Sequence, residues 1–79
     1  MLLDVIKVEV ADDFKLTLTF ENGEIREFDC RPILNEKPFD SIANIFIFRQ
    51  VKVEHGTVVW PNEVDIPPET LYLESKSIS

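Results

Sequence analysis

The chain has 79 residues, 44% of them hydrophobic, and a formal charge of −7 from 15 acidic against 8 basic residues. A chain this short buries roughly 60–65% of its unfolded surface, so one domain over residues 1–79 around one small core is expected. The acidic balance argues against nucleic-acid binding, which needs Lys and Arg on phosphates; the single Cys excludes an internal disulfide; no apolar run approaches the ~18 residues of a membrane span.

The opening MLLDVIKVEV mixes Asp4, Lys7 and Glu9 into its apolar residues, unlike a signal-peptide core or a transit peptide. With the unpaired Cys30, this predicts a soluble cytoplasmic protein. VIKVEV alternates, which places Ile6, Val8 and Val10 on one face and Lys7 and Glu9 on the other. FKLTLTF, residues 14–20, alternates strictly, with Phe14, Leu16, Leu18 and Phe20 inward and Lys15, Thr17 and Thr19 outward. Ala11-Asp12-Asp13 is the short polar turn between these two strands.

Glu21-Asn22-Gly23-Glu24 follows, and Asn-Gly between apolar runs signals a hairpin because both residues tolerate φ > 0. The next strand, IREFDC, needs a register. A two-residue turn sets Phe28 opposite Thr17, on the polar face. Moving the pairing by one residue, through a three-residue turn or a bulge near Arg26-Glu27, sets Phe28 opposite Leu18 and Cys30 opposite Leu16. This shifted register buries Phe28 and is preferred. Arg31-Pro32 ends the strand, since Pro cannot donate to the ladder.

In residues 33–48, Ile42, Ile45 and Phe46 have helical spacing and Asn44 suits an N-cap, which predicts one brief helical turn before Phe48. VKVEHGTVVW predicts a second hairpin around His55-Gly56, pairing Val53 with Val58 and Val51 with Trp60 on one face. Residues 61–68 read as a loop. PPETLYLES predicts a short helix from Pro67 or Pro68, with Glu69 at its favourable N-terminus and Leu71 packed inward; residues 75–79 are expected to fray. The order β-β-β, helical turn, β-β, α predicts an α+β fold: an antiparallel sheet of about five strands with one short C-terminal helix packed on it.

Asp65 stands where a helix cap would, but residues 67 and 68 are both Pro and offer no N–H to accept from. It must bond elsewhere, in its own loop, to the Glu69 amide or to a side chain. The plainer reading of Trp60 and Asp65 is closure of the fold. The functional reading makes them part of a binding patch, since Trp is enriched at interface hot spots.

WPNEVDIPPETLY, with FENGEIREFDC upstream, resembles the sequences of the domain of unknown function 2442 family. These are small bacterial proteins with a W-P-N-x-x-D-[LI]-x-P-E-x-L-Y-like ending. Trp60, Pro61, Asn62, Asp65, Pro67 or Pro68, Leu71 and Tyr72 carry the resemblance, which spans almost the whole chain. Glu63 departs from it, standing where the family pattern has Gly; if that position lies at φ > 0, the turn differs or carries strain. The resemblance implies no biochemical activity. Some members of the family sit beside a second small family in an arrangement like toxin–antitoxin pairs, which implies an antitoxin-like component.

His55 at a hairpin tip reads as a turn residue, and Cys30, on a core face 25 residues away in the chain, reads as packing rather than as its nucleophile. Asp4, Asp12 and Asp13 read as solvated carboxylates rather than metal ligands, and no cofactor site is expected. Ile45-Phe46-Ile47-Phe48 divides between core and an oligomer interface. Two function classes follow. The first is a non-enzymatic interaction or regulatory module that forms a homodimer, or binds a small basic protein through an acidic surface. Its candidate residues are Glu24 and Glu27 on the first hairpins and Trp60, Asn62, Asp65, Glu69 and Tyr72 in the closing motif. The second is a small-molecule-binding or catalytic domain with a pocket near Trp60 and Asp65.

Overall fold

A computed structural model describes residues 3–78. Alternation of apolar and polar residues builds the first sheet. β1 (Val5–Ala11), β2 (Lys15–Phe20) and β3 (Ile25–Asp29) pair antiparallel in sequence order, and β7 (Lys76–Ser77) adds to the outer side of β3. A second antiparallel sheet contains β4 (Lys52–Glu54), β5 (Thr57–Val59) and β6 (Asp65–Ile66). Between the sheets in sequence lie two 3-10 turns, Arg31–Ile33 and Phe39–Ile42, and the single-turn helix α1 (Ile45–Phe48); α2 (Pro68–Leu73) joins β6 to β7. The predicted α+β class and antiparallel pairing hold, but the strands divide into sheets of four and three instead of forming one of about five.

One core serves both sheets. Leu16, Leu18, Phe20 and Phe28 from the first sheet meet Phe48, Val58, Trp60, Ile66 and Leu71, all buried. The inward set predicted for β2 is therefore correct at Leu16, Leu18 and Phe20. Phe14 lies in the turn, half-buried, with its ring edge-on to Phe48 at 5.0 Å between centroids.

The face assigned to β1 needs correction. Val5 is buried whereas Ile6 is 59% exposed. A bulge between Val5 and Lys7 is the cause: Val5 pairs with Phe20 but Lys7 with Thr19, so Ile6 is the extra residue and Val5 and Val8 share a face although three apart. The β2–β3 register also differs from the preferred one. Phe28 pairs with Leu16 and Arg26 with Leu18. Phe28 is buried as expected, but the pairing is displaced by two residues from the expected partner. The reason is the turn, Glu21-Asn22-Gly23. The Gly23 N–H donates to the Phe20 carbonyl and the Phe20 N–H to the Glu24 carbonyl, both at 2.9 Å, with Gly23 alone at φ 90. This is a three-residue hairpin loop ending in a left-handed residue.

The second hairpin forms as predicted, with Val53 opposite Val58 around His55 (φ 54) and Gly56 (φ 78). Gly56 is also needed for close approach: its carbonyl accepts from the Val5 N–H at 2.9 Å, and a Cβ there would lie 2.6 Å from the Asp4 carboxyl. Asn44 caps α1 as expected, accepting from the Phe46 N–H at 2.8 Å, although helical turns are more numerous in this region than the one predicted.

Two further expectations are overturned. Residues 61–68 are not simply a loop, because β6 lies within them and pairs with β5, Val58 opposite Ile66. The tail expected to fray is instead β7: Lys76 and Ser77 pair with Glu27 and Arg26, and the Ile78 N–H donates to the Ile25 carbonyl at 2.9 Å. Ser79 lies outside the described residues. Pairing to β3 offsets the entropy of ordering this segment. Among the described residues no helix is long and apolar enough to cross a membrane.

Candidate functional site

Trp60 directly follows β5 and is only 2% exposed. Its Nε1–H donates to the Phe48 carbonyl at 3.0 Å, and its ring lies against that of Phe48 with centroids 5.8 Å apart. The indole thus ties the second sheet to α1 and is committed to the core. After it the chain turns through Pro61-Asn62-Glu63. The Glu63 N–H donates to the Trp60 carbonyl (3.1 Å) and the Trp60 N–H to the Val64 carbonyl (2.8 Å), the pattern seen at Phe20–Glu24. Glu63 takes the place of Gly23 and lies at φ 65. An L-residue held there costs on the order of 1 kcal/mol.

Beyond the turn, Asp65 pairs with Val59 in β6 and is exposed. Among the described residues its carboxylate takes no hydrogen bond, and neither the Glu69 amide nor a loop donor serves it. Glu63 and Asp65 flank a shallow depression on the second sheet together with Glu54, Lys52 and the edge of Trp60. Among the described residues only Glu54 has a cationic partner there, Lys52 at 3.4 Å. Asn62 is exposed at the tip of the turn, and Glu69 is exposed in the first turn of α2.

Glu24 and Tyr72, named separately as candidate interaction residues, are brought into contact. The Tyr72 hydroxyl donates to Glu24 Oε2 at 2.6 Å, and the tyrosine ring stands edge-on to Phe20 with centroids 5.2 Å apart. Asn22 Nδ2 donates to the same oxygen at 2.6 Å, and Arg26 Nη1 to Oε1 at 2.9 Å. The Arg26 guanidinium covers the Tyr72 ring at 4.4 Å from its centroid and donates to Ser75 through Nε and Nη2. The Tyr72 bond, followed by that of Asn22, holds the Glu24 carboxyl below its usual range, while the same Glu24 bond raises the Tyr72 hydroxyl. Five side chains thus close α2 onto the margin of the first sheet. Arg26, Ser75 and Asn22 carried no motif. For Arg26 the one available signal was parity, because Glu24 and Arg26 continue the row of buried Phe28, opposite Phe20 and Leu18.

Glu27 faces outward, between Thr17 and Lys76 in register. Asp29 is held by Arg31, whose Nη2 lies 2.8 Å from Oδ2, and these hydrogen bonds take its pKa down to about 2. Cys30 is fully buried and burial pushes its thiol up to about 12, leaving no thiolate to act as a nucleophile. His55 lies exposed in the β4–β5 turn. Asp4 and Asp12-Asp13 lie at opposite ends of β1, and no group of three or more His, Cys, Asp or Glu side chains able to hold a metal occurs among the described residues.

The model of one family, described as "Protein of unknown function (DUF2442)", matches residues 5–77. No curated protein and no solved structure matches the chain.

Proposed function

Because the chain belongs to the DUF2442 family, whose description names no activity, we propose its role from its own surface: a non-enzymatic interaction module that holds a basic protein segment against the turn after Trp60. An antitoxin-like component gripping a small basic partner is one form of this role, and a cytoplasmic setting suits it. The observation that carries the reading is Glu63. A carboxylate is kept at φ 65, where Gly would be relaxed, and among the described residues it has no partner. Asp13, also exposed, shares the left-handed backbone at φ 60, but its depression holds Arg49 as well, whereas among the described residues the one cation beside Glu63 and Asp65, Lys52, is paired with Glu54, which supports a role outside the fold. Asp65 beside it is equally uncommitted, and the net charge of −7 lets the field reach a cationic partner before contact.

The acids of the first hairpins support this role less. Glu24 accepts from three donors, Asp29 is held by Arg31, and Glu21 accepts the Asp4 N–H at 2.7 Å. A small-molecule pocket at Trp60 and Asp65 is disfavoured because the indole is taken up by Phe48.

Affinity purification from the native host tests the reading. The wild-type chain should retain a small basic protein stoichiometrically at low salt and release it as salt rises. Glu63→Gln with Asp65→Asn should lower its association rate about tenfold or more, whereas Glu36→Gln, outside the lining of that depression, should not. Equal retention by the double variant and the Glu36 variant would refute it. Turnover of a metabolite that is lost in a folded Asp65→Asn variant would replace it with the catalytic reading.

A further inference from the structure

The four apolar side chains of α1 are sorted by its single turn. Ile45 and Phe48 are three apart and share the inner side, where Phe48 is buried and Ile45 half-buried; Ile47 is half-buried as well. Phe46 is left outward. At 76% it is the most exposed large hydrophobic side chain among the described residues. The turn that presents it is fixed at both ends: Asn44 accepts from the Phe46 N–H, and Gln50 Nε2 donates to the Phe46 carbonyl at 3.1 Å. Beside it lies a depression of about 370 Å³ between α1 and the β1–β2 turn. Half-buried Val10, Ala11 and Ile45 supply its apolar part, and exposed Asp12, Asp13 and Arg49 its charges. Arg49 follows Phe46 by three residues in helical backbone, so the two share a face and Phe46 stands at the margin of the depression. Among the described residues neither Arg49 nor Asp12 has an ion pair or a side-chain hydrogen bond, although both line the same hollow.

We propose that two copies of this chain dock through this face, each setting its Phe46 ring into the depression of the other, against Val10, Ala11 and Ile45. Charge complementarity selects a second copy as the occupant. The face carries a ring and a cation from α1 on one side and acids from the β1–β2 turn on the other. A two-fold rotation therefore lays ring on hollow and Arg49 on Asp12 twice over, and closes the assembly at two chains. At −7 the chain repels its own copy from a distance. Pairing thus needs a cation at the contact, and Arg49 is the one this face supplies. A Phe side chain buries about 150–250 Å². Two of them with their rims fall short of the roughly 1,200 Å² of stable interfaces, so the dimer dissociates in the micromolar to sub-millimolar range.

Sedimentation equilibrium from micromolar up to about 1 mM chain should approach twice the 9.2 kDa chain mass. Phe46→Gln should raise the dissociation constant about a hundredfold, since a ring is lost at both contacts. Its urea midpoint, measured at low micromolar concentration, should stay at the wild-type value, because the ring is exposed in the single chain. Arg49→Glu and Asp12→Lys should each weaken the dimer about tenfold or more, by setting like charges together. Asp12 is chosen over Asp13 because Asp13 lies at φ 60, where lysine would add strain. Mixing these two charge variants in equal amounts should restore dimers of wild-type strength. In the mixed pair the new glutamate faces the new lysine, and the native Arg49 faces the native Asp12. A wild-type monomer throughout the range would overturn the proposal and leave Phe46 to a different protein. So would a dimer that Phe46→Gln leaves unchanged, or charge variants that fail to recover it on mixing.

Discussion

Glu63→Gly is expected to stabilise the protein by about 0.5–1 kcal/mol. The native φ of 65 costs an L-residue on the order of 1–2 kcal/mol, and Gly removes that cost while giving back roughly 0.4–1 kcal/mol through its greater freedom in the unfolded chain. In a domain of this size the gain corresponds to a rise of about 3–6 °C in Tm. Urea titration followed by the fluorescence of buried Trp60, with thermal melts by circular dichroism, measures it. Glu63→Ala is the necessary companion. It removes the charge beside Glu54 and Asp65 but keeps a Cβ at the same φ, so it should not stabilise through the backbone. If Ala matched Gly, relief of carboxylate repulsion would be the cause and the conformational argument would fail; a destabilised Gly variant would refute it directly. The matching turn supplies the opposite sign. At Gly23, φ 90, an added Cβ meets nothing within 4 Å, so Gly23→Ala should lose about 1 kcal/mol through backbone conformation alone.

Trp60→Phe leaves the Phe48 carbonyl without its donor and opens space in the core, at a cost of about 2–3 kcal/mol; an unchanged urea midpoint by circular dichroism would contradict this. Asp29 has a folded pKa of about 2 against an ordinary 3.8, so the stability it contributes is present above about pH 4 and is lost as pH falls toward 2. Asp29→Asn should flatten that part of the pH profile of the urea midpoint, and an unaltered slope would show the Arg31 contact to be idle. Tyr72→Phe and Glu24→Ala should each lower the midpoint, and together by less than the sum, since both remove the same hydrogen bond; strict additivity would mean the bond does not couple them.

How far the sequence could be read depends on what fixes each feature. FKLTLTF stated its own inward face, because four alternating residues leave one choice of side. His55-Gly56 stated its turn, because two residues that accept positive φ match a two-residue hairpin. Alternation, however, fixes only parity. Phe28 is buried opposite either Leu16 or Leu18, and the choice between them lies in the backbone of Glu21-Asn22-Gly23, where Gly23 alone takes the left-handed conformation. The bulge at Ile6 was hidden for the same reason, since Val5 and Ile6 are both apolar and either could have been inward. β6 and β7 are two residues long and have no period to detect. They exist because partners wait for them, the outer sides of β5 and β3, and those partners are positioned only once the fold is made.

The same division separates the structural acids from those free to bind. Composition supplies 15 carboxylates without distinguishing them. Geometry does: Glu24 is held by Tyr72, Asn22 and Arg26, and closes α2 onto β3, so removing it perturbs the fold before any partner is met. Glu63 and Asp65 have no such duty, and Glu63 is retained against its own backbone preference. Neighbouring carboxylates that stabilise nothing repel one another, a repulsion that a cationic partner would relieve. The closing motif therefore carries two roles on one short stretch: Trp60 faces inward and anchors the second sheet to α1, and the turn it launches presents two unpaired charges outward. Those two charges are unpaired among the described residues, which is why Trp60→Phe should be read in stability and Glu63→Gln with Asp65→Asn in binding.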